Sequence, residues 1–132
     1  MRVGRYILVI SLLISFINFC LPYVLDIECI ENRGVAFGLV IEKVWIFILI
    51  VLLLLLFLSF ITRGILRYLF FSIVVLGMTN LVERLINGYI CDYITFFNLS
   101  INLVDISLTI LVIFTILILL KGGYGDTDRE RK

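Results

Sequence analysis

Three carboxylates stand apart from the other acidic residues of the chain. The sequence holds 10 Asp and Glu. Asp126, Asp128 and Glu130 interleave with Arg and Lys in a polar tail, and Asp26, Glu28, Glu31 and Glu42 fall in a charged stretch. Both groups read as solvated. Glu83, Asp92 and Asp105 instead lie near the ends of long apolar segments. Two carboxylates close together in a low-dielectric site do not both ionise: one keeps its proton and the other stays charged. The charged one can take a proton from water, and the protonated one can polarise a peptide carbonyl. Such a pair hydrolyses peptides with no metal, no cofactor and no covalent intermediate. It suits a chain with 0 His, which offers neither a Ser-His triad nor a His-ligated metal. The 3 Cys show no C-x-x-C spacing and suggest no metal site. Cys20 and Cys29 can pair if both face an oxidising compartment; the plainer reading is small buried thiols.

Each carboxylate also has a structural reading. Glu83 precedes Arg84, and the two can form an ion pair that anchors a helix end. Asp92 follows the turn signal Asn87-Gly88 in a short extended segment, where a solvated loop residue is expected. Asp105 lies in Asn102-Leu103-Val104-Asp105, where either Asn102 or Asp105 can cap the helix that follows. Spacing alone does not bring Asp92 and Asp105 together.

The elements that position these residues follow from composition. The chain has 132 residues, 63% hydrophobic and 16% charged, whereas soluble domains are nearer 45–50% apolar and about 25% charged. A chain this short cannot hide so much apolar surface from water. A soluble globular enzyme and a disordered chain are excluded, and the net charge of +1 gives no reason to expect nucleic-acid binding. The expected fold is an all-α membrane protein with four transmembrane helices and a small extracytoplasmic loop or β region. The spans run from Tyr6 to Val24, Val44 to Thr62, Arg67 to Val82 and Ile106 to Leu120. They are continuously apolar, which excludes a β-barrel. No small-x-small site follows the first, so it reads as a span and not a cleaved leader. Residues 1–121 form one four-helix domain in this reading, and 122–132 a disordered cytoplasmic tail.

Arg2, Arg5, Arg63, Arg67, Lys121, Arg129, Arg131 and Lys132 all fall on one side of these spans. That side is expected to be the cytoplasm, with both termini inside and residues 25–43 and 84–104 outside. The third and fourth spans look short. An uncharged stretch such as Tyr68–Val82 covers roughly 22 Å of a core about 30 Å thick. Glu83 and Asp105 are therefore expected at the outer boundary of the hydrocarbon, where ionisable groups are costly and mark function.

Three motifs occur in order on this frame. Asn32-Arg33-Gly34-Val35-Ala36-Phe37-Gly38 resembles the N-x-G-A-A-F-G stretch of lipoprotein signal peptidases (signal peptidase II). Asn80-Leu81-Val82-Glu83-Arg84 with Gly88 and Ile90-Cys91-Asp92 resembles that family's N-x-x-D-R…G-x-V-x-D block. Asn102-Leu103-Val104-Asp105 resembles its F-N-x-A-D block. The resemblance covers roughly residues 30 to 110. It implies a membrane aspartic endopeptidase of the bacterial cytoplasmic membrane, with its site at the outer face. Such enzymes remove signal peptides from prolipoproteins just before a diacylglyceryl-modified Cys. Asp92 and Asp105 match the catalytic pair. Asn32, Gly34, Asn80, Arg84 and Asn102 match the residues around it, and Phe37 is open to two readings, packing on a lipid chain or in the core. The implied partners are such precursors and membrane lipids, with a monomer expected. Several positions depart from the family. Glu83 stands for Asp, Val75 and Leu76 for paired Gly with Gly77 nearby, Ile101 for Phe and Val104 for Ala. The first helix has Asn18 where an Asp…Lys pair is usual, and both outer segments are short.

The alternative is a catalytically inactive four-helix membrane protein that binds lipids or lipoproteins. A small multidrug-type transporter ranks last, because it needs an ionisable residue facing a central path and the first two spans carry none.

Overall fold

The computed structural model describes residues 2–34 and 43–122. Phe37, Glu42 and the tail beyond Gly122 lie outside the described residues. Four helices make up most of the chain: α1 Arg2–Val24, α2 Val44–Ile61, α3 Ile65–Asn87 and α4 Leu103–Leu120. All four are long and apolar enough to cross a membrane. The protein is an all-α membrane protein with two small sheets, as its composition requires.

Three helices exceed their expected limits, α1 by starting at Arg2 instead of Tyr6. Helix α3 continues past Val82 to Asn87, and its 23 residues span about 34 Å, so it is not a short span. A search for uncharged residues stops at Glu83, but the helix does not, because Glu83 and Arg84 both find polar partners. It ends where Gly88 adopts a left-handed φ of 79° and donates its amide to the Arg84 carbonyl, a conformation that favours glycine. Helix α4 starts at Leu103 instead of Ile106, so that Asp105 lies in its first turn.

Helix α3 is the axis of the bundle. It packs on α1, α2 and α4, and 50% of its apolar window is buried, against 11–17% in the other three. Leu69, Ser72 and Leu76 on α3 are fully buried. Gly77 lets α2 approach: a Cβ there would lie 2.5 Å from a Leu52 methyl. The outward faces of α1, α2 and α4 expose large apolar side chains, including Phe16, Phe47, Phe57 and Phe114. Such faces suit hydrocarbon, where helices satisfy their own backbone groups.

The sheets sit at one end of the bundle. Strand β1 (Ile30–Asn32) comes from the α1–α2 connection. Strands β2 (Ile90–Asp92), β3 (Ile94–Phe96) and β4 (Leu99–Ile101) come from the α3–α4 connection. β1 pairs antiparallel with β2, and β3 with β4. The register sets Ile30 opposite Asp92, Glu31 opposite Cys91 and Asn32 opposite Ile90. A disulfide joins Cys29 to Cys91, and Cys20 is free. This corrects both readings, the plainer one of small buried thiols for Cys29 and Cys91 and the open one of a Cys20–Cys29 pair: Cys20 lies inside α1, whereas the β1–β2 ladder carries Cys29 to Cys91 with 4.9 Å between their Cα atoms, within the usual range for a bridge.

Candidate active site

The site is built from three asparagines and two aspartates at the meeting point of α3, α4, β1 and β2. Helix α4 begins with a reciprocal capping box. The Asn102 side chain accepts from the Asp105 amide at 2.9 Å, and Asp105 Oδ2 accepts from the Asn102 amide at 3.2 Å. Each side chain satisfies an amide that the first helical turn leaves free. The expected capping role is therefore present, with Asn102 as the cap and Asp105 as its partner. The box uses one oxygen of Asp105. The other, Oδ1, accepts from Asn80 Nδ2 of α3 at 3.0 Å.

Asp92 ends β2 and is fully buried, which overturns the reading of a solvated loop residue. Its Oδ2 accepts from Asn32 Nδ2 of β1 at 3.0 Å, and its Oδ1 accepts from Asn102 Nδ2 at 3.5 Å. Asn102 Nδ2 also reaches Asn80 Oδ1 at 3.3 Å. Asn102 and Asn80 thus link Asp92 to Asp105 through side-chain amides. Asn32 Oδ1 accepts from the Gly34 amide at 3.1 Å, closing an Asx turn that fixes the Asn32 side chain.

Glu83 and Arg84 do not pair, contrary to expectation. Adjacent helical positions point about 100° apart and cannot face each other. Glu83 Oε1 accepts from the Cys91 amide at 2.7 Å, which holds β2 against α3. Arg84 Nη2 donates to the Gly34 carbonyl at 2.7 Å. Its Nε and Nη1 are buried and meet no acceptor among the described residues. The remaining described acids, Asp26, Glu28 and Glu31, are exposed as expected, with Glu31 paired to Arg33 on the surface.

One residue escaped the sequence reading. Tyr93 donates its hydroxyl to Asn18 of α1 at 2.7 Å and accepts from the Leu103 amide at 3.3 Å. It therefore ties α1 to the start of α4. Burial raises its ionisation above the usual range, so the hydroxyl keeps the proton it donates. The available signal was Asn18, a lone polar residue in the first apolar span that needs a partner.

Burial is the main influence on Asp92 and pushes its carboxyl up to about 6. The Asn32 hydrogen bond opposes that shift, Asp105 and Glu83 add to it, and Arg84 opposes it. An acid raised on folding binds protons more tightly in the folded state, so its ionisation destabilises the fold. The cost is absent below the unfolded value near 4 and complete above about 6. Asp92→Asn is expected to gain stability on the order of 2 kcal/mol at pH 7.5 relative to wild type, and little at pH 4. Thermal unfolding in detergent followed by circular dichroism at both pH values checks this. An identical pH dependence in variant and wild type would refute it.

The sequence pattern of the signal peptidase (SPase) II family matches residues 5–121. The chain belongs to the signal peptidase II family. The match spans all four helices and every residue of the asparagine–carboxylate cluster. A lipoprotein signal peptidase of Caldicellulosiruptor bescii is 32% identical over 106 residues, covering 76% of this chain and 71% of that protein. One from Staphylococcus aureus is 28% identical over 142 residues, covering 99% and 87%. No solved structure matches the chain. Membership of signal peptidase II makes the chain a membrane protease of a family that processes signal peptides. Glu83, where the resemblance expects Asp, reaches a backbone amide of β2.

Proposed function

We propose that the protein is an aspartic endopeptidase that removes signal peptides from diacylglyceryl-modified prolipoproteins. Asp92 and Asp105 are the catalytic pair in this reading. The observation that carries it is the cluster in which Asn102 and Asn80 join the two acids while Asp92 is fully buried. Burial of Asp92 and the neighbouring acids let the pair keep a proton to higher pH than a solvated carboxylate would. The ionised carboxylate takes a proton from water, and the protonated one donates to the scissile carbonyl as the water oxygen adds. Collapse of the tetrahedral intermediate returns a proton to the leaving amine. Individual roles belong to the pair. Arg84 Nε and Nη1, which meet no acceptor among the described residues, would donate to a carbonyl of the bound peptide, while Asn32 and Gly34 set the β1 edge beside Asp92. The bilayer presents the lipidated Cys at the depth of the helix ends. Relatives named lipoprotein signal peptidase support this substrate class.

The test is a gel-mobility assay on a diacylated prolipoprotein and on the same precursor without lipid. Cleavage of the lipidated form alone is expected. Binding of that form without cleavage by the wild type would instead favour the inactive lipoprotein-binding protein.

The site is proposed to face outward from a bacterial cytoplasmic membrane, with both termini in the cytoplasm, from the distribution of Arg and Lys. A Cys introduced by Asp128→Cys is expected to resist a membrane-impermeant maleimide in intact cells and to react once they are opened. Labelling in intact cells would reverse the assignment.

A further inference from the structure

We infer that the Cys29–Cys91 disulfide is a positioning element of the proposed active site, and that activity depends on its being oxidised. The inference rests on the peptidase reading and adds a control that the carboxylates do not carry. Side chains alternate across a strand, so the register divides the β1–β2 ribbon into two faces. Cys91 lies opposite Glu31, which puts Cys29 diagonal to it on the same face, and there the sulfurs join. Asp92 lies opposite Ile30, which puts Asn32 diagonal to it on the other face, and there the amide reaches the carboxylate at 3.0 Å. The covalent brace and the catalytic contact are thus back-to-back diagonals of one ribbon.

That ribbon has little else to hold it. Each strand has 3 residues, and an isolated two-stranded pair is marginal in water. A slip of one residue would turn Asn32 to the wrong face. Glu83 grips the β2 side through the Cys91 amide and Arg84 takes the Gly34 carbonyl just past the far end of β1, but at the Cys29 end β1 is held by the bridge, its covalent tie to β2. Cys29 is exposed, so a dithiol reductant can attack there. The reductant's two thiols become its own disulfide, and Cys29 and Cys91 each gain a hydrogen. Freed from its brace, β1 carries Asn32 away from Asp92. The carboxylate then loses a donor to its charged form, while Glu83, Arg84 and Asp105 still face it from α3 and α4.

The experiment uses wild-type protein in detergent and a diacylated prolipoprotein, with and without dithiothreitol. Thiols are counted by maleimide labelling after denaturation. Reduction is expected to lower kcat by about 10- to 100-fold, the scale of a displaced catalytic group. It should also move the acidic limb of the pH–rate curve to higher pH, a change that general loosening would not produce. Reoxidation should restore both. Cys29→Ala with Cys91→Ala should match the reduced enzyme and ignore dithiothreitol, and Cys20→Ser should behave as wild type. Full reduction with unchanged rate and pH profile overturns the inference and leaves the peptidase reading intact. An oxidised wild type that never cleaves the precursor overturns the peptidase reading, and the inference with it.

Discussion

Replacing either carboxylate by its amide, Asp92→Asn or Asp105→Asn, is expected to lower kcat by about 1,000-fold or more, the range of a lost general acid or base. An amide neither takes a proton from water at neutral pH nor donates one to a carbonyl. The two variants should fold, for reasons that differ. At position 92 the amide retains an oxygen that can accept from Asn32 or Asn102, and it removes the charge that burial disfavours. At position 105 the amide keeps one acceptor for two donors, Asn80 Nδ2 and the Asn102 amide. That variant should lose roughly 1 kcal/mol of stability through the weakened cap. Steady-state cleavage with thermal unfolding on the same samples checks both. Turnover within tenfold of wild type in either folded variant would leave the lipid-binding alternative in front.

Asn102→Ala should give the second-largest loss, about 100-fold in kcat, because the Asn102 side chain bonds both the Asp92 carboxylate and the Asp105 backbone amide and so sets one acid against the other. It is fully buried, and its loss also removes the cap of α4, at a cost of about 1–2 kcal/mol. Asn102→Asp separates the two effects. Aspartate keeps the cap but takes away the amide donor and adds a third carboxylate beside Asp92, so stability should recover more than activity. Recovery of both to the wild-type level would mean that Asn102 acts only as a cap.

The helices and the identity of the polar residues were legible because they follow from local features. Long apolar runs have no alternative in water, and Asn102 three residues before Asp105 is a capping pattern wherever a helix starts. The limits of α3 were less legible. A hydropathy reading stops at the first charge, and only the fold shows Glu83 bound to a β2 amide and Arg84 to the Gly34 carbonyl. The ion pair expected between those two neighbours fails on helical geometry alone, so the sequence already held the correction. The disulfide was hidden for another reason. Cys29 and Cys91 lie 62 residues apart, and their meeting depends on β1–β2 pairing between 3-residue strands too short to announce themselves. Asp92 was misread in its structural role for the same cause. Its burial comes from β1 and α3 packing on β2 and from Asn102 reaching it from the start of α4, and nothing adjacent in the chain records that.

The proposal that one proton is shared between Asp92 and Asp105 is tested most directly by the pH–rate profile of single-turnover cleavage of a diacylated prolipoprotein, measured on oxidised wild-type protein from pH 4 to pH 9. A shared proton predicts a bell: the rate rises as the first carboxyl of the pair ionises and falls as the second loses its proton, with both limbs belonging to the coupled pair. A rate that is flat across the range, or that rises to a plateau with no descending limb, would contradict it.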